Sequence, residues 1–382
     1  MASTSEPKLP SMMKAQFLEA FNKPYVLRSV PLPTATDPHD MLIKVDAASY
    51  CHTDAVLAAG QMRPYPPCFP HVGCHEFAGT VVALPEHSTS PFRVGDRVGV
   101  PGRSFHPCGT CFECASGPTP EDADADPPGY SVYCPRAENN GISAPGGFRE
   151  YAVVDSRQVA PIPENLSAVD AAVFMCAGVT VYAALKRCRL KPGQRVGIMG
   201  CGGGLGHLGL QFAVQMGLEV WGVDNADAPL RLAGEVAGGA ARVIDARSVD
   251  AGEVVTGLGR EDGKQDRDDM GLDAVIILPE SQEAFDYGVS LLRNHGKCVV
   301  VSFPERGFHV SARDVVFRDI SITGSLVGSN KLLRETLQFA AQNNVRALVR
   351  TFPLSRLNDL VAEYHEGRGG KLAIDMALPD VS

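Results

Sequence analysis

The run "RVGIMGCGGGLGHLGLQFAVQMG", residues 195–217, decides the fold. Its first six residues read as a buried strand and "GLGHLGLQFAVQMG" as a helix, with Gly200, Gly203, Gly204, Leu205 and Gly206 at the junction. Chemistry at such a turn needs backbone rather than side chains. Free N–H groups and the helix macrodipole favour a pyrophosphate there, and a Cβ would obstruct its approach. The next strand, "EVWGVD", ends at Asp224, about twenty residues past the turn. A carboxylate in that place hydrogen-bonds a ribose 2′-OH and repels a 2′-phosphate, which favours NAD over NADP. The alternative is that Asp224 merely caps the following turn.

Outward from this turn, strands and helices alternate. "APLRLAGEVAG" reads as a helix, "ARVIDA" and "LDAVIIL" as strands, "SQEAFDYGVSLL" as a helix, and "GKCVVVSF" and "DISITGSL" as strands. This is the pattern of a Rossmann-type, doubly wound α/β domain: a parallel sheet with helices on both faces. Upstream, "MLIKVDAASY", "GTVVAL", "DRVGVPG" and "EYAVVD" are short β-prone runs punctuated by Pro, Gly and Asp, so the first part of the chain reads as β-rich. "SAVDAAVFMCAGVTVYAALKR" reads as a helix with Ser167 or Asp170 as its cap, and "KLLRETLQFAAQNN" as another, before a final strand "KLAIDMAL". The acidic, proline-rich segment 115–131 reads as a mobile surface loop.

The chain has 382 residues, 45% hydrophobic and 21% charged, enough for two domains. A net charge of −9 argues against nucleic acid or an anionic membrane as partner. No apolar run reaches the length expected of a bilayer span, and the N-terminal residues lack a signal-peptide pattern, so the expected compartment is the cytosol. Eleven cysteines in such a chain point to metal rather than disulfides. Cys108, Cys111 and Cys114 in "CGTCFEC" have the spacing that lets thiolates converge on one ion, and Cys134 completes four with no open position, a structural zinc site. The loop before Cys134 adds little closure entropy beside the roughly 10 kcal/mol of zinc binding. A redox-active thiol cluster is the alternative.

Two further stretches carry ligand chemistry: "YCHTD" with Cys51 and His52, and "FPHVGCHEFAGTVV", residues 69–82. Together with "MCAGVTVYAAL", "GCGGGLG" and "GSLVGS", they resemble the zinc-dependent medium-chain alcohol dehydrogenases, most closely the branch that includes yeast alcohol dehydrogenase, over nearly the whole chain. The resemblance implies a β-rich GroES-like catalytic domain (1–177) carrying both zinc sites, an NAD-binding Rossmann domain (178–324) and a C-terminal return to the catalytic domain (325–382). It implies that Cys51, His75 and Cys176 bind a catalytic zinc whose fourth position is open. Glu76 would sit behind that zinc, Asp54 would orient His75, and Thr53 would hydrogen-bond the substrate hydroxyl and begin a proton relay. His52 would lie near the cofactor pyrophosphate and Thr180 near the nicotinamide. His71 matches no functional position and reads as structural.

Four departures stand out. Cys74 occupies the place of a glycine, either as a small apolar filler or as a thiol close to the metal. Ala59 stands where the branch carries a histidine. Met62 and the stretch from Gly102 to Ser104 replace tryptophans, leaving Trp221, expected next to the nucleotide, as the only one; this implies a pocket wider than ethanol needs. Lys371 replaces an arginine that meets the pyrophosphate, keeping the charge but losing the bidentate fork. The expected activity is reversible, zinc-dependent hydride transfer between an alcohol and NAD(H), giving an aldehyde or ketone, with two zinc ions per chain in a homodimer or homotetramer. A zinc-free enone or quinone reductase of the same superfamily, or a non-catalytic NAD-binding redox sensor, is the rival reading.

Overall fold

The computed structural model describes residues 9–102, 105–115, 131–266 and 269–380. The segment read as a mobile loop lies, but for its two ends, outside them, as does Ser104. A hairpin of β1 (Met12–Phe17) and β2 (Val26–Pro31) precedes β3 (Asp40–Tyr50), α1 (His52–Ala58), β4 (Glu76–Ala83), β5 (Arg97–Pro101), α2 (Phe112–Ala115), β6 (Tyr151–Asp155) and β7 (Ala160–Pro161). After α3 (Ala168–Val173) and α4 (Val179–Cys188) comes a strand–helix alternation: β8 (Arg195–Met199), α5 (Gly206–Gln215), β9 (Glu219–Asp224), α6 (Asp227–Ala237), β10 (Ala241–Asp245), α7 (Ala251–Glu261), β11 (Leu272–Ile277), α8 (Gln282–Leu291), β12 (Leu292–Val300), α9 (Ala312–Phe317) and β13 (Ser321–Gly324). The chain ends with α10 (Asn330–Gln342), β14 (Val349–Phe352), α11 (Leu357–Tyr364) and β15 (Lys371–Asp375).

Strands β8 to β13 form one parallel sheet in the order β10-β9-β8-β11-β12-β13. Its central strands are near-continuous apolar runs because helices cover both faces. The second sheet runs β14-β15-β3-β4-β5-β7, with β6 also on β3, and only its β14–β15 pair is parallel. The C-terminal strand β15 is thus an interior strand of the sheet built mostly from the first 161 residues.

One helical run, Ala168–Cys188, joins the two sheets. Ser167 caps it, its Oγ accepting from Asp170 N. Its first half packs on β3 and β4 and its second half on β11 and β12. It is 21 residues long, and an 18-residue window within it has a mean hydropathy of 1.8, long and apolar enough to cross a membrane, against the expectation that no run would be; 78% of that window is buried, as suits a core helix wedged between sheets. Midway, Phe174–Gly178 widens into a π-helical turn, a feature that often accompanies functional positions.

Trp221 is not at the nucleotide end of β9. It lies buried three residues earlier, with the guanidinium carbons of Arg195 and Arg242 at 5.6 and 5.2 Å from its ring centre. Side chains alternate along a strand, and Gly222, its neighbour, is the one that faces Cys201 in the glycine-rich turn.

Candidate active site

Cys51 caps α1 in extended conformation, directly at the end of β3. Asp54, buried in the first turn, accepts from Cys51 N through Oδ2 and from Cys74 N through Oδ1, both at 2.9 Å. One carboxylate therefore ties together two segments that are twenty residues apart in sequence. Its Oδ1 lies 3.7 Å from His75 Nδ1, too far for a hydrogen bond.

His75 stands at the mouth of β4. Cys74 before it has φ 78°, a left-handed backbone that glycine adopts without strain and other residues rarely do. The Cys74 thiol is fully buried and directed at the carbonyls of Ser49 (3.4 Å) and Glu76 (3.3 Å); burial pushes its pKa well up, so it is a neutral filler rather than a thiolate. Gly102 leaves room for the histidine: a Cβ there would fall 2.3 Å from His75 Cβ. Cys176 comes from the π turn.

The ligand atoms of Cys51, His75 and Cys176 lie within 4.8 Å of one another. The contact between the two sulfurs lowers the pKa of Cys51 and raises that of Cys176. Burial works against a charged His75, but the Cys51 sulfur and Asp54 outweigh it and its pKa is raised. His75 Nδ1 is buried without a hydrogen-bond partner. Two soft thiols and an imidazole, converging in a buried place, fit zinc.

Glu76 backs this cluster. Its Oε1 accepts from Ser49 Oγ at 2.9 Å and from Lys371 Nζ, and its Oε2 faces Ala177 N at 3.4 Å, beside Cys176. Burial raises the Glu76 pKa to about 7, and Lys371 opposes the rise. The ammonium of Lys371 also donates to Tyr50 O at 2.8 Å, so it is turned toward Glu76, while its stem lies against Gly204 of the glycine-rich turn. Neither Ser49 nor this pairing carries a signal readable in sequence.

The second cluster gathers the sulfurs of Cys108, Cys111, Cys114 and Cys134 within 4.8 Å. Cys134 Sγ lies 3.6 Å from Cys108 Sγ and 3.8 Å from Cys111 Sγ. Zinc–sulfur bonds of about 2.3 Å in a tetrahedron require edges of about 3.8 Å. Gly109, at φ 69°, makes the turn, and backbone N–H groups of Thr110 and Cys111 point at Cys108 Sγ at 3.5 and 3.3 Å. All eleven cysteines are free of disulfides.

At the glycine-rich turn, Gly200 has φ 76°, and a Cβ on Gly206 would meet Gly200 O at 2.1 Å. Around Gly203 only one atom comes within 4 Å of such a Cβ, leaving the open side a dinucleotide phosphate needs. Leu205 leads into α5. Asp224 ends β9; its Oδ2 accepts from Gly202 N at 3.0 Å and its Oδ1 from Asn225 N at 2.9 Å, so it braces the turn itself. Gly202, overlooked in the sequence, is also where α6 comes closest, with Pro229 O at 2.0 Å from an added Cβ. Thr180 is buried in the first turn of α4, one turn beyond Cys176, while His52 and Thr53 flank Cys51 on α1. His71 is buried with Nε2 on Gly141 O at 3.0 Å, a structural contact.

A metal-gathering antiparallel domain joined to a doubly wound sheet with a phosphate-ready turn defines a two-domain, dinucleotide-dependent dehydrogenase. Residues 37–164 match the alcohol dehydrogenase GroES-like domain and residues 204–342 the zinc-binding dehydrogenase domain. An alcohol dehydrogenase of Geobacillus stearothermophilus is 35% identical, covering 93% of this chain and 97% of its own. Alcohol dehydrogenase 1 of Neurospora crassa is 32% identical over 96% of this chain and 98% of its own. The solved alcohol dehydrogenase of the archaeon Aeropyrum pernix superposes with a TM-score of 0.78 at 28% identity, covering 95% of this chain and 99% of that one. The chain belongs to the zinc-binding, medium-chain alcohol dehydrogenase family. It is an alcohol dehydrogenase of the zinc-binding dehydrogenase type.

Proposed function

We propose that the chain catalyses reversible, zinc-dependent hydride transfer between a primary or secondary alcohol and NAD, with Cys51, His75 and Cys176 holding the catalytic zinc. The observation that carries this reading is the donor set itself: two thiols and an imidazole gathered within 4.8 Å of one another. When bound there, zinc would supply Lewis acidity to the alcohol oxygen, lowering its pKa. Asp54 fixes the Cys51 and Cys74 backbones, so the donor set is preformed. The Thr53 hydroxyl, 3.8 Å from Cys51 Sγ, receives the alcohol proton and passes it to solvent. Thr180 would border the nicotinamide, which when bound would supply the hydride acceptor for the carbinol carbon. Asp224 and the turn glycines hold the adenosine and pyrophosphate, and Lys371 steadies Glu76 behind the donor set. Cys108, Cys111, Cys114 and Cys134 hold a second, structural zinc.

Elemental analysis of protein purified without added metal or chelator tests this reading. Two zinc ions per chain and NAD-linked oxidation of an alcohol panel are expected. A folded, NADH-binding protein without zinc would sink it in favour of the zinc-free reductase. The replaced tryptophan positions support substrates bulkier than ethanol. We place the enzyme in the cytosol, in keeping with eleven unpaired cysteines. As an assembly we propose a homodimer or homotetramer, supported by β13 at the sheet edge and by the exposed Phe303, Val316, Phe317 and Ile322 near it. We propose the domain division at 177 and 324 with a C-terminal return over 325–382, a reading supported by the two separate sheets and by β15 pairing with β3.

A further inference from the structure

His52 sits between two groups that none of the roles above uses. Its Nδ1 is 2.8 Å from the hydroxyl of Tyr364, the last residue of α11. Its Nε2 faces Glu280 Oε1 at 3.8 Å. Glu280 follows Pro279, which lies against Gly200, 3.0 Å from where a Cβ would be. Nε2 is therefore aimed at the rim of the parallel sheet, where strand ends bind dinucleotides.

Tyr364 is well held. Its ring packs edge-on to Tyr50 at 5.1 Å, and Tyr50 in turn stacks on Phe148. Beyond Tyr364 the chain turns through Gly367, Gly369 and Gly370, all at positive φ, and Gly370 N donates to Gly202 O at 3.3 Å. The phenol is thus fixed both to the catalytic core and to the glycine-rich turn. Burial raises its pKa to about 12, so it keeps its proton.

We infer that Tyr364 is a positioning residue for cofactor binding: by donating to His52 Nδ1 it fixes the ring and the tautomer, leaving an Nε2–H directed at the cofactor pyrophosphate. The inference rests on the reading that the pyrophosphate lies at the glycine-rich turn under His52. Without cofactor, the Glu280 carboxylate stands where Nε2 would meet an anion. His52 has a half-exposed side chain, so an untethered ring would sample other rotamers, and their ordering would oppose binding.

The test is a double-mutant cycle on the zinc-loaded enzyme with Tyr364→Phe and His52→Gln, reading NADH and ADP-ribose binding, KM for NAD and kcat. Phenylalanine keeps the ring contact with Tyr50, so thermal stability should hold. Tyr364→Phe is expected to weaken NADH and ADP-ribose binding about three- to tenfold and to raise KM for NAD by a similar factor. It should leave kcat within about twofold and binding of adenosine, which lacks phosphate, unchanged. In the His52→Gln background the same change should add little. Wild-type NADH binding by Tyr364→Phe, beside weakened binding by His52→Gln, would overturn the inference alone; so would two effects that multiply independently. Unchanged binding by His52→Gln would remove the pyrophosphate reading and the inference with it.

Discussion

Gly102 shows how narrowly single residues hold the site. Its missing Cβ is filled by His75, at 2.3 Å from the side chain and 2.8 Å from the carbonyl oxygen. Gly102→Ala must push His75 away, and displacements near 1 Å can cost on the order of a hundredfold in rate. Zinc content is expected to fall from two toward one per chain while NADH binding holds, a pair of readings that metal analysis and a fluorescence titration provide. His207 governs a different property. It is fully buried in α5, with Nδ1 at Gly203 O (3.0 Å) and Nε2 accepting from Leu348 N (3.1 Å). Burial lowers its pKa from 6.5 to about 4. The folded state then takes up its proton later than the unfolded chain, so this contribution to stability is complete above about pH 6.5 and declines as pH falls toward about 4. The loss is on the order of 3 kcal/mol. His207→Gln, which can both donate and accept, should flatten the pH dependence of denaturant midpoints in that window. Such residue-level facts were unevenly legible. Four clustered thiols and a glycine-rich turn announce themselves by spacing. Lys371 meets Glu76 across 295 positions and Tyr364 meets His52 across 312, and nothing local marks either pair.

Among the elements, the strands of the parallel sheet and helices α5, α6 and α8 fall where the apolar runs place them, because strands covered on both faces cannot tolerate interruption, whereas α7 and α9 were not read from the sequence. The π turn in Ala168–Cys188 was not legible: "FMCAG" has no composition that separates it from its helical flanks, and only packing between two sheets sets its width. The edge strand β13 and helix α9 lead to a prediction at this scale. Val316 and Phe317 are 70% and 77% exposed, a poor state for large apolar side chains beside an unpaired edge. If this face joins two copies, Phe317→Glu should shift the mass measured by light scattering to that of a single chain, with zinc content unchanged. An unaltered mass would place the contact elsewhere.

At the scale of the whole molecule, the two metal clusters are expected to separate activity from stability. Cys111→Ser should remove one zinc, lower the thermal midpoint and leave residual activity per folded chain. His75→Ala should remove the other zinc and abolish turnover, with a much smaller thermal shift. Melting curves paired with metal counts distinguish them. The placement of β15 has its own consequence. A ribosome delivers this chain N-terminus first, and early domains ordinarily fold while later ones are being made. Here the sheet that bears Cys51 and His75 lacks an interior strand, and Glu76 lacks its lysine, until residues 371–375 emerge. The support of the donor set, its sheet and the lysine paired with Glu76, is therefore incomplete until residues 371–375 have been made, and Cys51, His75 and Cys176 must wait for it with their thiols reduced.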